Sequence, residues 1–226
     1  MAVEQPSEAF YACSTVGVDN APQWWRRFSV RNTNAVYSAH RNTVQMPATI
    51  LRDPFFSTTA PQALNYGGLG AVVGHEAMHG FGKGPIYYNA EGEYGHWWTA
   101  HSMAGYSSRL QCMRQMHGIS DESIDDEMLS DFAGLVAAHD AYLSLSPRKR
   151  QQSFHGFPYK DEQLFFISYC LKACDNNPDR LVPEYASWRD RCQVPLRMLG
   201  AFGQAFRCPA GSPMWIYNES RRCTFW

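Results

Sequence analysis

The sequence predicts a mainly α-helical domain with a small β-sheet, an α+β fold, on three observations. Gly68 to Phe81 is an apolar run in which His75 and His79 recur one helical turn apart. Phe132 to Ala138 is a second apolar, alanine-rich run that reads as a buried helix despite its internal glycine. Ahead of both, Ala35-Val36-Tyr37-Ser38 and Thr43-Val44-Gln45-Met46 alternate as strands, joined by a polar turn near His40-Arg41-Asn42. A chain of 226 residues buries one sizeable core, so residues 32–226 are taken as one domain and residues 1–31 as a poorly defined N-terminal segment.

Residues 1–31 show no clear period. Their one dense apolar patch, Trp24-Trp25-Arg26-Arg27-Phe28, suits a short packed segment or a surface for a partner. After the hairpin, Pro54-Phe55-Phe56 opens a loop whose two rings are expected in the core, with one able to wall a pocket instead. Gly82-Lys83-Gly84-Pro85 breaks the first helix, and Tyr87 to Gly95 is a polar loop. A third helix is expected from Trp97-Trp98 to about Met116, with His96, His101 and His117 as surface or hydrogen-bonded residues. Asp121, Glu122, Asp125 and Asp126 read as a solvated acidic start to the next helix, where carboxylates suit the N-terminal dipole. Gln163 to Cys174 is again helical, and its Cys170 and Cys174, four residues apart, each need another partner.

Composition excludes several function classes. A formal net charge of -1 with only short basic clusters offers no surface for a polyanion, so no nucleic acid partner is expected. No run of eighteen apolar residues is present, so no segment is expected to span a membrane. The first eight residues lack the basic and apolar regions of a signal peptide. Seven cysteines without a CxxC pair favour disulfides over thiolate metal sites, and hence an oxidising compartment. A partial chain reconciles those two signals.

The chemistry resides on the two apolar helices. His75 and His79 at i and i+4 project from one face and can bind the same ion, while Glu76 is placed to take a proton from water at the ion's open position. Glu127 and Asp131 repeat the one-turn spacing on the second helix. Glu127 completes a His2Glu set suited to one Zn2+, and Asp131 can accept the free ring N–H of a ligand histidine.

From about Thr33 onward the chain resembles the neprilysin-like zinc endopeptidases, which include endothelin-converting enzyme. The resemblance is carried by Asn34-Ala35-Val36-Tyr37-Ser38, Arg41-Asn42, Pro54-Phe55-Phe56 and Ala63-Leu64-Asn65-Tyr66-Gly67-Gly68 ahead of the histidines. Beyond them come Trp97-Trp98-Thr99, Gln111-Cys112, Gln163-Leu164-Phe165-Phe166, Ala205-Phe206-Arg207-Cys208-Pro209 and Cys223-Thr224-Phe225-Trp226, in the family's order. It implies a thermolysin-like gluzincin catalytic domain with two zinc-ligand helices, acting on short peptides at the amino side of apolar residues, outside the cell or at its surface. It also implies that Asn34 and Ala35 align the substrate backbone and that Arg191 grips a substrate carbonyl. Asn34 as a mere strand terminus stands as the plainer alternative. A Cys112–Cys223 disulfide is implied as well.

Four departures from the family qualify those expectations. Gly82 stands where the family has an acidic residue supporting the second histidine, so weaker zinc binding is expected. Tyr185 stands where the family has a histidine that steadies the oxyanion, and its hydroxyl can donate in that role. Ala173 replaces an aromatic residue, which is expected to reshape the substrate pocket. The family's large N-terminal domain, which closes over the cleft, is expected to be missing, which would leave the site open. These differences leave an alternative: a catalytically impaired relative that binds zinc and peptides or a partner protein.

Overall fold

The computed structural model describes residues 34–118, 122–152, 157–174, 176–181, 183–209 and 211–214. The 1–31 segment and its tryptophan pair therefore lie outside the described residues. Strand β1 (Val36–Ser38) pairs antiparallel with β2 (Thr43–Gln45), with Tyr37 opposite Val44. The connecting turn ends on Asn42 at φ 46°, a left-handed conformation that asparagine tolerates, and Tyr37 Oη donates to Asn42 Oδ1 at 3.0 Å. The hairpin is thus where alternation placed it.

The helices follow in the order α1 (Gln62–Asn65), α2 (Ala71–Met78), α3 (Ala100–His117), α4 (Asp125–Leu143), α5 (Pro147–Arg150), α6 (Glu162–Leu171), α7 (Trp188–Met198) and α8 (Gly200–Ala205). A π-helical stretch, Tyr66–Gly70, runs α1 into α2, and a 3-10 turn, His79–Phe81, continues α2. Helix α3 begins later than expected, because Thr99 is its N-cap and its hydroxyl accepts from Ser102 N at 3.0 Å. Trp97 and Trp98 consequently lie ahead of the helix.

Helix α4 is the central element, buried from Met128 through Leu135 and again at Ala138 and Tyr142. Leu129, Phe132 and Ala133 pack with Leu110 and Met113 of α3 and with Val194 and Met198 of α7. Leu135 and Tyr142 pack with Leu164, Phe165, Phe166 and Tyr169 of α6. These two clusters hold α4 from separate sides, and α2 crosses it where Gly74 meets Gly134. A Cβ on Gly74 would lie 2.5 Å from Gly134 O, and one on Gly134 would lie 2.4 Å from His75 N. Only two glycines permit that approach.

Two expectations about this region need correction. Asp125 is not solvated at the start of α4 but fully buried, with Arg114 Nε donating to its Oδ2 at 2.8 Å and Lys83 Nζ 2.9 Å away. Burial of a carboxylate is sustained by such paired cations. Phe55 and Phe56 are only half-buried, and Phe55 packs on the small cluster Ala35, Ile50 and Val72.

Cys170 is bonded to Cys192, tying α6 to α7 across 22 residues, a loop whose closure contributes about 3 kcal/mol. This pairing was not anticipated. Cys112 is disulfide-bonded, while the suggested partner Cys223 lies outside the described residues. Among the described residues Cys174 and Cys208 have no disulfide partner.

Candidate metal centre

Helix α2 presents His75 and, just past its end, His79, with ring centroids 4.6 Å apart and planes nearly perpendicular. Their Nε2 atoms are 3.1 Å apart. The first turn of α4 brings Glu127 against both, with Oε2 at 3.4 Å from His75 Nε2 and Oε1 at 3.6 Å from His79 Nε2. A tetrahedral ion at about 2.0–2.1 Å from each ligand keeps its donors roughly 3.3–3.4 Å apart. The observed spacings bracket that value, and two imidazoles with one carboxylate form a donor set suited to zinc. Among the described residues no other cluster of this kind occurs.

A second layer of side chains fixes these donors. His75 Nδ1 lies 3.0 Å from Asp131 Oδ1, although the ring N–H is not aligned on that oxygen and makes no well-directed hydrogen bond. Asp131 is fully enclosed. Its Oδ2 accepts from Arg191 Nε at 2.6 Å, and its Oδ1 from Arg191 Nη2 at 3.1 Å and Lys172 Nζ at 2.9 Å. Arg191 Nη2 also donates to Glu127 Oε2 at 3.0 Å, so one guanidinium braces both carboxylates of α4. His79 Nδ1 meets Ser130 Oγ at 3.2 Å.

Charge around the site is set by burial against pairing. Burial alone would raise Asp131, yet Lys172, Arg191 and His75 together hold it well below the usual carboxylate range. Glu127 is lowered likewise, burial being outweighed by its bond to His75 and the charges of His75 and Arg191. Burial would lower His75, but Asp131 and Glu127 raise it. His79 is lowered, by burial and by the neighbouring His75.

Glu76 is buried beside this cluster without being one of its donors, and burial raises its pKa above the ordinary glutamate value. The site floors a cleft of about 700 Å3. Asn34, Ala35, Val36 and Tyr37 line it from the hairpin, and Tyr185, Trp188 and Arg191 from α7 and the loop before it. Arg191 lies under the rings of Tyr185 and Trp188, at 5.2 and 5.3 Å from their centroids. Every residue expected to hold metal, act on the substrate or align it is therefore at the cleft or, for Asp131, directly beneath it.

A model of peptidase family M13 matches residues 34–223 of the chain. The chain belongs to that family. Membrane metallo-endopeptidase-like 1 of Mus musculus is 36% identical to this M13 chain over 215 residues, covering 85% of it and 27% of the mouse protein. Neprilysin of Oryctolagus cuniculus is 31% identical over 215 residues, again covering 85% of this chain and 28% of its own length. The chain thus spans little more than a quarter of the curated relatives it matches. The crystal structure of the zinc metalloprotease Zmp1 of Mycobacterium tuberculosis with an inhibitor superposes with a TM-score of 0.74 at 25% identity, covering 88% of this chain and 33% of that one.

Two departures of this M13 chain look different in three dimensions. The second histidine is not left bare by Gly82, because Ser130 supplies its partner from α4. The space a side chain at 82 would take is already filled, since a Cβ there would lie 3.0 Å from Asp126 Oδ2. Ala173 is buried and absent from the cleft wall, which at this point is Lys172. Ser130, Lys172 and the crossing glycines escaped sequence reasoning. Ser130 could have been found by its i+3 spacing from Glu127, which places it on the ligand face. Replacing Ser130 by Ala is expected to lower zinc affinity about 10-fold without altering the fold, measured by competition against a chromophoric chelator.

Proposed function

We propose that the chain is the catalytic portion of a zinc endopeptidase of neprilysin type. The supporting observation is a buried carboxylate, Glu76, beside a convergent His75–His79–Glu127 donor set in an open cleft. Zinc held by these three residues would supply a Lewis acid that acidifies water and polarises a peptide carbonyl.

The chain's own residues account for the remaining steps. Glu76, made more basic by burial, takes a proton from the attacking water and returns it to the leaving amine. Arg191 is rigidly oriented by Asp131 and Glu127 and donates to the carbonyl oxygen as charge develops there. Tyr185 is half-exposed at the cleft, and the charge of Glu127, with burial, raises its pKa; the phenol stays protonated as a second donor. Asn34 and Ala35, at the start of the hairpin edge, align an extended peptide by backbone pairing. Ala35, Ile50, Phe55 and Val72 form an apolar wall suited to the side chain following the scissile bond. A purely peptide-binding relative would have no use for a buried base at Glu76.

The disulfides suit an oxidising compartment, extracellular or at the cell surface. Among the described residues no helix is long and apolar enough to cross a membrane.

Chelation provides the test. Dialysis against 1,10-phenanthroline is expected to abolish cleavage of a short apolar peptide library, and one equivalent of zinc to restore it, followed by mass spectrometry. A metal-loaded, folded protein that cleaves nothing would remove the hydrolase assignment.

A further inference from the structure

Three cations line the cleft, Lys172, Arg180 and Arg191, with the carboxylates Glu76 and Glu127 beside them and Asp131 beneath. Two of the three cations are already committed. Arg191 is bonded to Asp131 and Glu127, and Lys172 donates to Asp131 with its ammonium 4.4 Å from the Tyr169 ring centre.

Arg180 differs. It is exposed, and its guanidinium has no hydrogen-bond or ion-pair partner among the described residues. Asp179 and Asp190 are engaged elsewhere. Asp179 accepts from Arg189 Nε at 2.5 Å and Nη2 at 3.1 Å, and Asp190 Oδ2 accepts from Ser187 Oγ at 2.7 Å. The loop that carries Arg180 is nevertheless anchored: its own N–H donates to Asn177 O at 3.1 Å, and Arg189 N to Pro178 O at 3.0 Å. The loop therefore presents to the cleft a guanidinium that no other described residue engages.

On the reading of this cleft as a peptide site, we infer that Arg180 is a specificity-determining residue that binds a carboxylate of the substrate, either a free C-terminus or an acidic side chain. The planar guanidinium fork matches a carboxylate in bidentate fashion. The apolar wall of Ile50, Phe55 and Val72 sets the residue at the scissile bond, and Arg180 adds a charge requirement away from it.

The test uses one quenched-fluorescent peptide in three forms: C-terminal acid, C-terminal amide, and amide with an internal Gln replaced by Glu. The zinc-loaded protein is expected to show kcat/KM about 5-fold higher for at least one carboxylate-bearing form than for the neutral amide, as a partly exposed charged pair allows. Whichever form carries the preference identifies the source of the carboxylate. Arg180→Gln should erase the preference while hydrolysing the neutral amide at the wild-type rate, and 0.5 M NaCl should shrink it in the wild type. Equal rates for all three forms in the wild type, or a preference retained by Arg180→Gln, overturn the inference. Calorimetric binding of the same peptides to zinc-loaded Glu76→Gln protein separates this from the hydrolase reading. A carboxylate preference in binding that depends on Arg180 upholds the inference even where nothing is cleaved, and absence of binding at millimolar peptide overturns it.

Discussion

Glu76→Gln is expected to lower kcat/KM for peptide cleavage by about 10³-fold or more while leaving zinc affinity within a factor of about 3. A positioned general base contributes roughly 10² to 10⁴ in rate, and glutamine can neither accept the proton from water nor return it to the amine. Metal binding should persist, because the proposed donors are His75, His79 and Glu127, and Glu76 is not one of them. Folding should persist too. The substitution is isosteric, and burial disfavours the charged form of Glu76, so removing its charge relieves a cost in the folded state. Kinetics on a defined peptide, together with competition against a chelator, measure both quantities on the same sample. A variant that retains zinc and cleaves at the wild-type rate would assign the proton transfer to another group.

The convergence of His75, His79 and Glu127 was legible in the sequence because helical periodicity converts spacing into geometry. His75 with His79, and Glu127 with Asp131, each occupy one helical face, and two such pairs need only one crossing of their helices to meet. The hairpin was legible for a similar reason, since strict alternation and a polar turn fix the register. What escaped depends on contacts between distant segments. Nothing local in Asp125 distinguishes a solvated helix start from a carboxylate buried under Arg114 and Lys83, eleven and forty-two residues away. Cys170 finds Cys192 only because α6 and α7 pack together, so the four-residue spacing could exclude Cys174 as its partner but not name Cys192. Lys172 looks from sequence like a solvated charge ending an apolar helix, yet it is one of the cations sustaining Asp131.

The crossing itself is the least legible feature and the most consequential. Gly134→Ala is expected to abolish measurable zinc binding at micromolar metal and to lower the melting temperature of the metal-free protein. In an isolated helix this change would stabilise by roughly 1 kcal/mol, since alanine is the better helix former. Here the new Cβ would fall 2.4 Å from His75 N and 2.6 Å from Gly74 C, both backbone atoms that no rotamer change can remove. Relief requires α2 and α4 to separate by about 1 Å, and overpacking of that kind costs roughly 1–3 kcal/mol, which exceeds the propensity gain. The functional loss is larger than the loss of stability. A zinc site tolerates donor displacements of only about 0.2 Å, and the two helices that would part are those carrying His75 and Glu127. Gly84→Ala is the control, because its added methyl meets nothing within 4 Å and its backbone is already right-handed. Calorimetric melting and chelator competition should leave Gly84→Ala unchanged and separate Gly134→Ala on both measures. Undiminished zinc affinity in Gly134→Ala would mean that the ligands are held together by something other than the close approach of these two helices.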